Sequence, residues 1–271
     1  MVRSATVSPR ERYIVKSAAA IDSKTKSREE VPAGENLVSV IFTLRNEIAA
    51  IQPLLAAIRT DVLAGSKERY ELIFVDDCSN DGSYKALHDE AARLMAEDPP
   101  ALVAIRLIQT SRRFGVENCL VGGLRLARGK AAIFMYSDLQ DPLSLIPRMV
   151  ASWRSSYDVV HTRRRRRIGD PLLRRVASAL AYRAIQWLGP RYYEWPADCG
   201  DVKLMSRRVI EHLLPIATDT PYLRGLVSSI GFPSAIIDYD MIPRQHGIRK
   251  NNHFGVKTFS VADSTRQCIE I

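Results

Sequence analysis

The 271-residue chain reads as an α/β domain built on a mostly parallel sheet with helices on both faces. Two observations point there. Short β-branched or apolar runs alternate along the chain with stretches whose apolar residues recur at helical spacing, the pattern of a parallel sheet covered on both sides. Twice, an apolar run ends abruptly in carboxylates and a turn: ELIFVDDCSNDGS at 71–83 and FMYSDLQDPLSLIP at 134–147. Open α/β sheets bind their ligands at such strand tips. Two carboxylate-bearing tips in one domain suggest a site for a divalent cation and a phosphorylated ligand.

The elements follow in order. Residues 1–36 carry charges throughout and no apolar core, so they read as a disordered, mixed-charge tail and not as a secretory signal. The ordered domain is expected over 37–245. Residues 38–44 (VSVIFTL) form its first strand. Over 47–63, Ile48, Ile51, Leu54, Leu55, Ile58 and Val62 keep helical spacing. A second strand is expected at 72–75, then a turn and cap at Asp81-Gly82-Ser83 and a helix over 84–95. A strand at 102–108, a helix over 116–127 ended by Gly129, and a strand at 131–136 complete the regular part. The second half is less regular. It offers a short strand at 157–161, five consecutive arginines at 163–167, a helical pattern over 172–188, a helix at about 207–214, and a strand near 235–239. A short basic segment, 246–271, closes the chain.

The bulk properties narrow the function classes. An apolar fraction of 46% is that of a globular core. No window approaches the roughly 18 apolar residues that span a bilayer. The cysteines Cys78, Cys119, Cys199 and Cys268 form no CxxC pair, so reduced thiols in the cytoplasm are expected. The net charge of +9, from 39 basic and 30 acidic residues, favours anionic partners. Neither a GxxxxGK[ST] loop nor a GxGxxG fingerprint occurs, which leaves NTP hydrolysis and dinucleotide redox chemistry without support.

The ordered blocks VSVIFTLRNE, FVDDCSNDGS, TSRRFGVENCLVGGLRLARGK, MYSDLQDP, YDVVHTRRR, DCGDVKLMSRRV and YLRGLVSSIGF together resemble the polyprenyl-phosphate glycosyltransferases. These form the dolichol-phosphate-mannose-synthase-like branch of glycosyltransferase family 2. The resemblance implies a GT-A (Rossmann-like) fold. It also implies an inverting reaction in which a nucleotide sugar gives its sugar to a polyprenyl phosphate, with Mg²⁺ or Mn²⁺ as cofactor.

The same resemblance distributes roles. The loop Thr43-Leu44-Arg45-Asn46-Glu47 matches a Tyr-Asn-Glu-like segment that holds base and ribose; Arg45 takes the tyrosine's place, and a guanidinium also stacks on a base. Of the donor-side pair Asp76-Asp77, Asp77 matches the base-contacting residue. The family commonly has Asp-x-Asp-x-Gln where this chain has Tyr136-Ser137-Asp138-Leu139-Gln140, so Asp138 and Gln140 are the matching metal-side residues and Tyr136 replaces the first aspartate. Asp201 matches an acceptor-side residue, with Lys203 placed to meet phosphate. Arg163 matches an arginine near the acceptor phosphate, which it would grip as a bidentate fork. Arg249 and Lys250 match a basic segment that closes over the diphosphate.

Plainer readings stand beside these. Asp77 or Asp81 would serve as helix caps, Glu47 as a first-turn acid, Asp141-Pro142 as a helix start, and Asp201 as a loop-holding residue. The arginine run would also suit a solvated loop, or anionic lipid headgroups at about 1 kcal/mol per arginine, with no nucleic-acid partner expected. The 172–188 helix fits an interfacial helix or a core helix equally. Many family members continue into membrane-spanning helices where this chain has FGVKTFSVADSTRQCIEI. The expectation is either a peripheral enzyme on the inner, cytoplasmic face of the membrane, served by a separate membrane-protein partner, or a chain whose C-terminus is truncated or diverged. Two other functions stay open: transfer to a sugar hydroxyl, and a non-catalytic nucleotide-sugar or polyanion-binding relative.

Overall fold

The computed structural model describes residues 15–21, 37–165, 199–217 and 222–242. Among the described residues eight strands form one sheet: β1 (Val15–Ile21), β2 (Leu37–Leu44), β3 (Arg69–Asp76), β4 (Leu102–Thr110), β5 (Ala131–Tyr136), β6 (Val159–Arg164), β7 (Cys199–Ser206) and β8 (Ser234–Tyr239). Their order is β1-β4-β3-β2-β5-β7-β6-β8. The central β4-β3-β2-β5 ladder is parallel throughout. β1 is antiparallel to β4, and β7 is antiparallel to both β5 and β6. The sheet is therefore mostly parallel, as expected, with two reversed strands.

The helices are α1 (Ile48–Ile58), which widens into a π-helical turn over Arg59–Leu63, α2 (Ser83–Ala96), α3 (Val116–Leu126), α4 (Leu145–Arg154), α5 (Arg207–Ile216) and α6 (Leu223–Ser229). They divide between the two faces because successive strand residues point to opposite sides. Val38, Val40, Phe42 and Leu44 of β2 pack with Ile51, Leu54 and Ile58 of α1, Leu87 and Leu94 of α2, and Ile146 and Met149 of α4. Ile41, between them, faces the other way into a core with Leu120 and Leu124 of α3, Val209 and Leu213 of α5, and Val227 of α6. The central strands β2, β3 and β5 are buried on both faces, which explains their near-continuous apolar runs.

Differences from the sequence expectations concern strands and helices with weak patterns. Val15–Ile21 lies in the stretch read as a disordered tail, yet it pairs along the edge of β4 from Val15↔Thr110 to Ile21↔Ile105. β7, α4 and α6 are additional elements. The 172–188 helix, Cys268, Arg249, Lys250 and the last two arginines of the run lie outside the described residues. No helix among the described residues is long and apolar enough to cross a membrane.

Candidate active site

The parallel register aligns the C-terminal ends of the central strands. Thr43 on β2 stands beside Val75 on β3 and Tyr136 on β5, and Leu44 beside Asp76. These ends and the loops that leave them carry the donor-side and metal-side candidates, whereas Asp201 and Lys203 lie on β7 and Arg163 on β6.

On the β2–β3 side the loops are tied to each other. Arg45 donates through Nη1 to the carbonyls of Asp77 (2.7 Å) and Cys78 (3.1 Å). The Asn46 N–H donates to Ser79 Oγ at 2.8 Å, and Asn46 Oδ1 accepts from the Asn80 N–H at 3.0 Å. Asn46 and Cys78 both adopt positive φ, 51° and 56°, a left-handed turn that costs free energy outside glycine and persists where the surroundings hold it. Glu47 is buried, with its N–H on Ser83 Oγ (2.9 Å). Asp81 is a local cap: it accepts from the N–H groups of Ser83 (2.9 Å) and Ile48 (3.3 Å). Burial would raise its carboxyl, but the hydrogen bonds from Ser83 outweigh that and hold it below the ordinary range.

Asp76 and Asp77 divide their work. Asp76 is fully buried and accepts from the Ser79 N–H and hydroxyl and from Gln109 Nε2 (3.0 Å). It organises the turn after β3. Asp77 accepts from the N–H groups of Phe114 (2.6 Å) and Gly115 (3.0 Å), just before α3. Two orphan donors at a helix N-terminus are thereby satisfied. Behind it, burial and the neighbouring Asp77 carboxylate push the Cys119 thiol well above its usual range.

At the tip of β5, Ser137 turns inward and donates to the Thr43 carbonyl at 3.1 Å. Asp138 then accepts from the backbone N–H of Gln140 (3.2 Å) and from its Nε2 (2.9 Å), with Leu139 at φ 56° between them. The two metal-side candidates thus lie together. Among the described residues no group of three or more His, Cys, Asp or Glu side chains is arranged to hold a metal ion. One carboxylate and one amide remain, a set that fits a hard cation keeping several waters and arriving with diphosphate oxygens. Asp141 turns away from this loop into the sheet. It is buried, with Arg164 Nη2 at 3.2 Å and the Tyr239 hydroxyl bonded to the same Oδ1. Ile242 closes the loop by donating its N–H to the Gln140 carbonyl at 2.9 Å.

A second cluster sits where β5 meets β7. The Tyr136 hydroxyl donates to Asp201 Oδ2 at 2.9 Å, and Arg224 of α6 donates to Oδ1 through Nε (3.0 Å) and Nη2. Burial would raise Asp201, yet Arg224, Tyr136 and Lys203 together hold its carboxyl below the usual range. Lys203 is only 3% exposed. Burial lowers its ammonium to about 8, with Asp201 opposing the shift. Glu117 in the first turn of α3 is raised by burial and by Asp201. Beside Lys203, burial and that lysine's charge lower His161 to about 4.

Arg163 is placed at the end of β6, where it forms a two-pronged ion pair with Asp238 (Nε to Oδ1 2.7 Å, Nη2 to Oδ2 3.1 Å). The sequence reading missed the partners: Arg224, Glu117, Asp238 and the Arg164–Asp141–Tyr239 group. Arg224 and Glu117 stand in quoted blocks, but only the antiparallel placement of β7 makes them neighbours of Asp201.

Residues 39–214 match the family model of Glycosyl transferase family 2. The chain is 32% identical over 201 residues to the uncharacterized glycosyltransferase YkcC of Bacillus subtilis (strain 168), covering 74% of this chain and 59% of that protein. It is 28% identical to the bactoprenol glucosyl transferase of Shigella phage SfV, covering 83% of this chain and 69% of that one. The chain thus spans about three fifths to two thirds of the length of these curated relatives. Among solved structures, glucosyl-3-phosphoglycerate synthase from Mycobacterium tuberculosis, in complex with Mn²⁺, UDP and phosphoglyceric acid, superposes with a TM-score of 0.51. At 20% identity, covering 79% of this chain and 72% of that one, this likeness concerns the fold, which is GT-A. With its strand-tip carboxylates on that fold and the family match over most of its length, the chain belongs to glycosyl transferase family 2.

Proposed function

We propose that the protein moves a sugar, with inversion, from a nucleotide-sugar donor to a polyprenyl phosphate at the cytoplasmic face of the membrane. The observation that carries the reading is the pairing of two sites on one sheet edge. A loop with Asp138 and Gln140 suits a diphosphate and its cation, and beside it lies a cationic cluster around Asp201. The relatives named bactoprenol glucosyl transferases support a polyprenyl acceptor.

In this reading Asp77 and the Arg45-tied loops form the base and ribose side. Asp138 and Gln140 would hold Mg²⁺ or Mn²⁺, whose charge would neutralise the leaving diphosphate. A lipid phosphate is ionised at neutral pH, so it needs orientation more than deprotonation. The state of Asp201 agrees with that: clamped by Arg224 and Tyr136 and held below the usual range, it is a poor proton acceptor near neutrality. Its task is to fix the acceptor side, with Arg224 as its cation. Arg163, released from or shared with Asp238, would meet the acceptor phosphate, and exposed Arg165 would continue the basic edge toward an anionic lipid surface.

Transfer to a sugar hydroxyl is the second reading, favoured by Glu117, a carboxyl raised by burial and by Asp201 beside the acceptor cluster, since a hydroxyl acceptor needs a general base. One experiment separates them: labelled UDP- and GDP-sugars incubated with polyprenyl phosphate in vesicles, with Mn²⁺ or with chelator, across pH. Metal-dependent label in the lipid fraction, with no rise in the rate as pH increases through neutrality, supports the proposal. Nucleotide release without lipid label rejects the acceptor.

A further inference from the structure

We propose that Tyr136 is a positioning residue: its hydroxyl holds Asp201 on the acceptor side and takes position 136 out of the metal sphere. The inference rests on the glycosyltransferase reading above and adds to it a division of labour at one position.

The geometry comes from the β5–β7 register. Phe134 stands opposite Lys203 and Ala131 opposite Ser206. Continued by two residues, the antiparallel ladder sets position 136 across from position 201, as the 2.9 Å Tyr136–Asp201 hydrogen bond requires. Carboxylates directly opposite each other on neighbouring strands repel. An aspartate at 136 would therefore face Asp201 and create a demand for a cation between them. Tyrosine removes that demand, since its O–H donates where a second carboxylate would repel.

Tyr136 is also held in place. Its ring packs edge-on against buried Phe134, with centroids 5.0 Å apart and planes at 70°. Arg224 takes Oδ1 of Asp201 while Tyr136 takes Oδ2, so both carboxylate oxygens are oriented by fixed donors. Asp138 and Gln140, two and four residues further on, are bonded to each other through the backbone N–H and Nε2 of Gln140. The donor-side cation therefore has Asp138 as its carboxylate, and Asp201 is reserved for orienting the acceptor.

Two readouts test this together: Mn²⁺ affinity measured by electron paramagnetic resonance with UDP or GDP as the nucleotide probe, and steady-state transfer to polyprenyl phosphate. Tyr136→Phe should leave the Mn²⁺ Kd within about twofold while lowering kcat/KM for the acceptor by about tenfold or more, the loss of one hydrogen bond to a charged group. In an Asp201→Asn background the same change should cost much less, because the two positions act as a unit. Tyr136→Asp should tighten Mn²⁺ binding. A Tyr136→Phe enzyme that binds Mn²⁺ tenfold more weakly, or keeps full acceptor kcat/KM, or loses the same factor in both backgrounds, overturns the assignment. A wild-type protein that binds no Mn²⁺ with either nucleotide and transfers no sugar removes the glycosyltransferase reading itself, and this inference with it.

Discussion

Replacing Lys203 by methionine isolates one buried charge. Lys203 is 3% exposed on β7, and burial lowers its ammonium from the ordinary 10.5 to about 8. The folded value lies below the unfolded one, so between about pH 8 and 10.5 the unfolded chain binds more protons, and stability rises with pH. A gap of that size corresponds to a cost of about 3 kcal/mol for the charged form at low pH, of which about 2 kcal/mol is recovered between roughly pH 7.5 and 9.5. Methionine has similar length and no charge. The unfolding free energy of the wild type should therefore gain on that of Lys203→Met by about 2 kcal/mol over this interval. His161 titrates near 4 and does not contribute there. The assay is urea denaturation of both proteins at several pH values. Parallel stability curves would refute the reasoning, since they would mean that the Lys203 ammonium is hydrated in the folded chain.

Two further changes probe the scaffold of the site. Asp77→Asn should lower stability by about 1–3 kcal/mol as well as weaken donor binding, because the carboxylate holds two backbone N–H groups ahead of α3; donor affinity lost at unchanged melting temperature would leave Asp77 with the ligand alone. Gly129→Ala should destabilise by about 1–3 kcal/mol or more, since a Cβ there would lie 2.6 Å from the Ser39 nitrogen and 2.7 Å from the Ala131 carbonyl; an unchanged denaturation midpoint would contradict that close approach.

The parts of the fold legible in the sequence are those whose burial is uniform. β2, β3 and β5 are buried on both faces, and α1 to α3 carry periodic apolar stripes, so their alternation is visible. β7 escaped because its interior includes Asp201, Lys203 and Ser206, polar residues whose partners come from elsewhere in the chain. α4 is masked by Pro147, which a first helical turn tolerates. β1 is rich in alanine and has little strand preference of its own; it is a strand through its ladder with β4.

The site was legible as positions more than as partnerships. A carboxylate after an apolar run marks a strand tip, which located Asp76, Asp77 and Asp138. The same logic says nothing of what each carboxylate holds. Asp76 proves to be a turn organiser, Asp77 a holder of the α3 N-terminus, and Asp141 a buried partner of Arg164 and Tyr239. Arg163 was located at its strand end, but its pairing with Asp238 depends on the parallel β6–β8 register.

The measurement that tests the central claim most directly is sugar transfer to polyprenyl phosphate by the wild type and by Asp138→Asn, with increasing Mn²⁺ and matched melting temperatures. Asp138 is the carboxylate assigned to the donor-side cation, so the variant should remain folded and lose about a hundredfold or more in metal-dependent turnover, as expected when charge stabilisation of the leaving group is removed. Full metal-dependent transfer by Asp138→Asn would contradict the account.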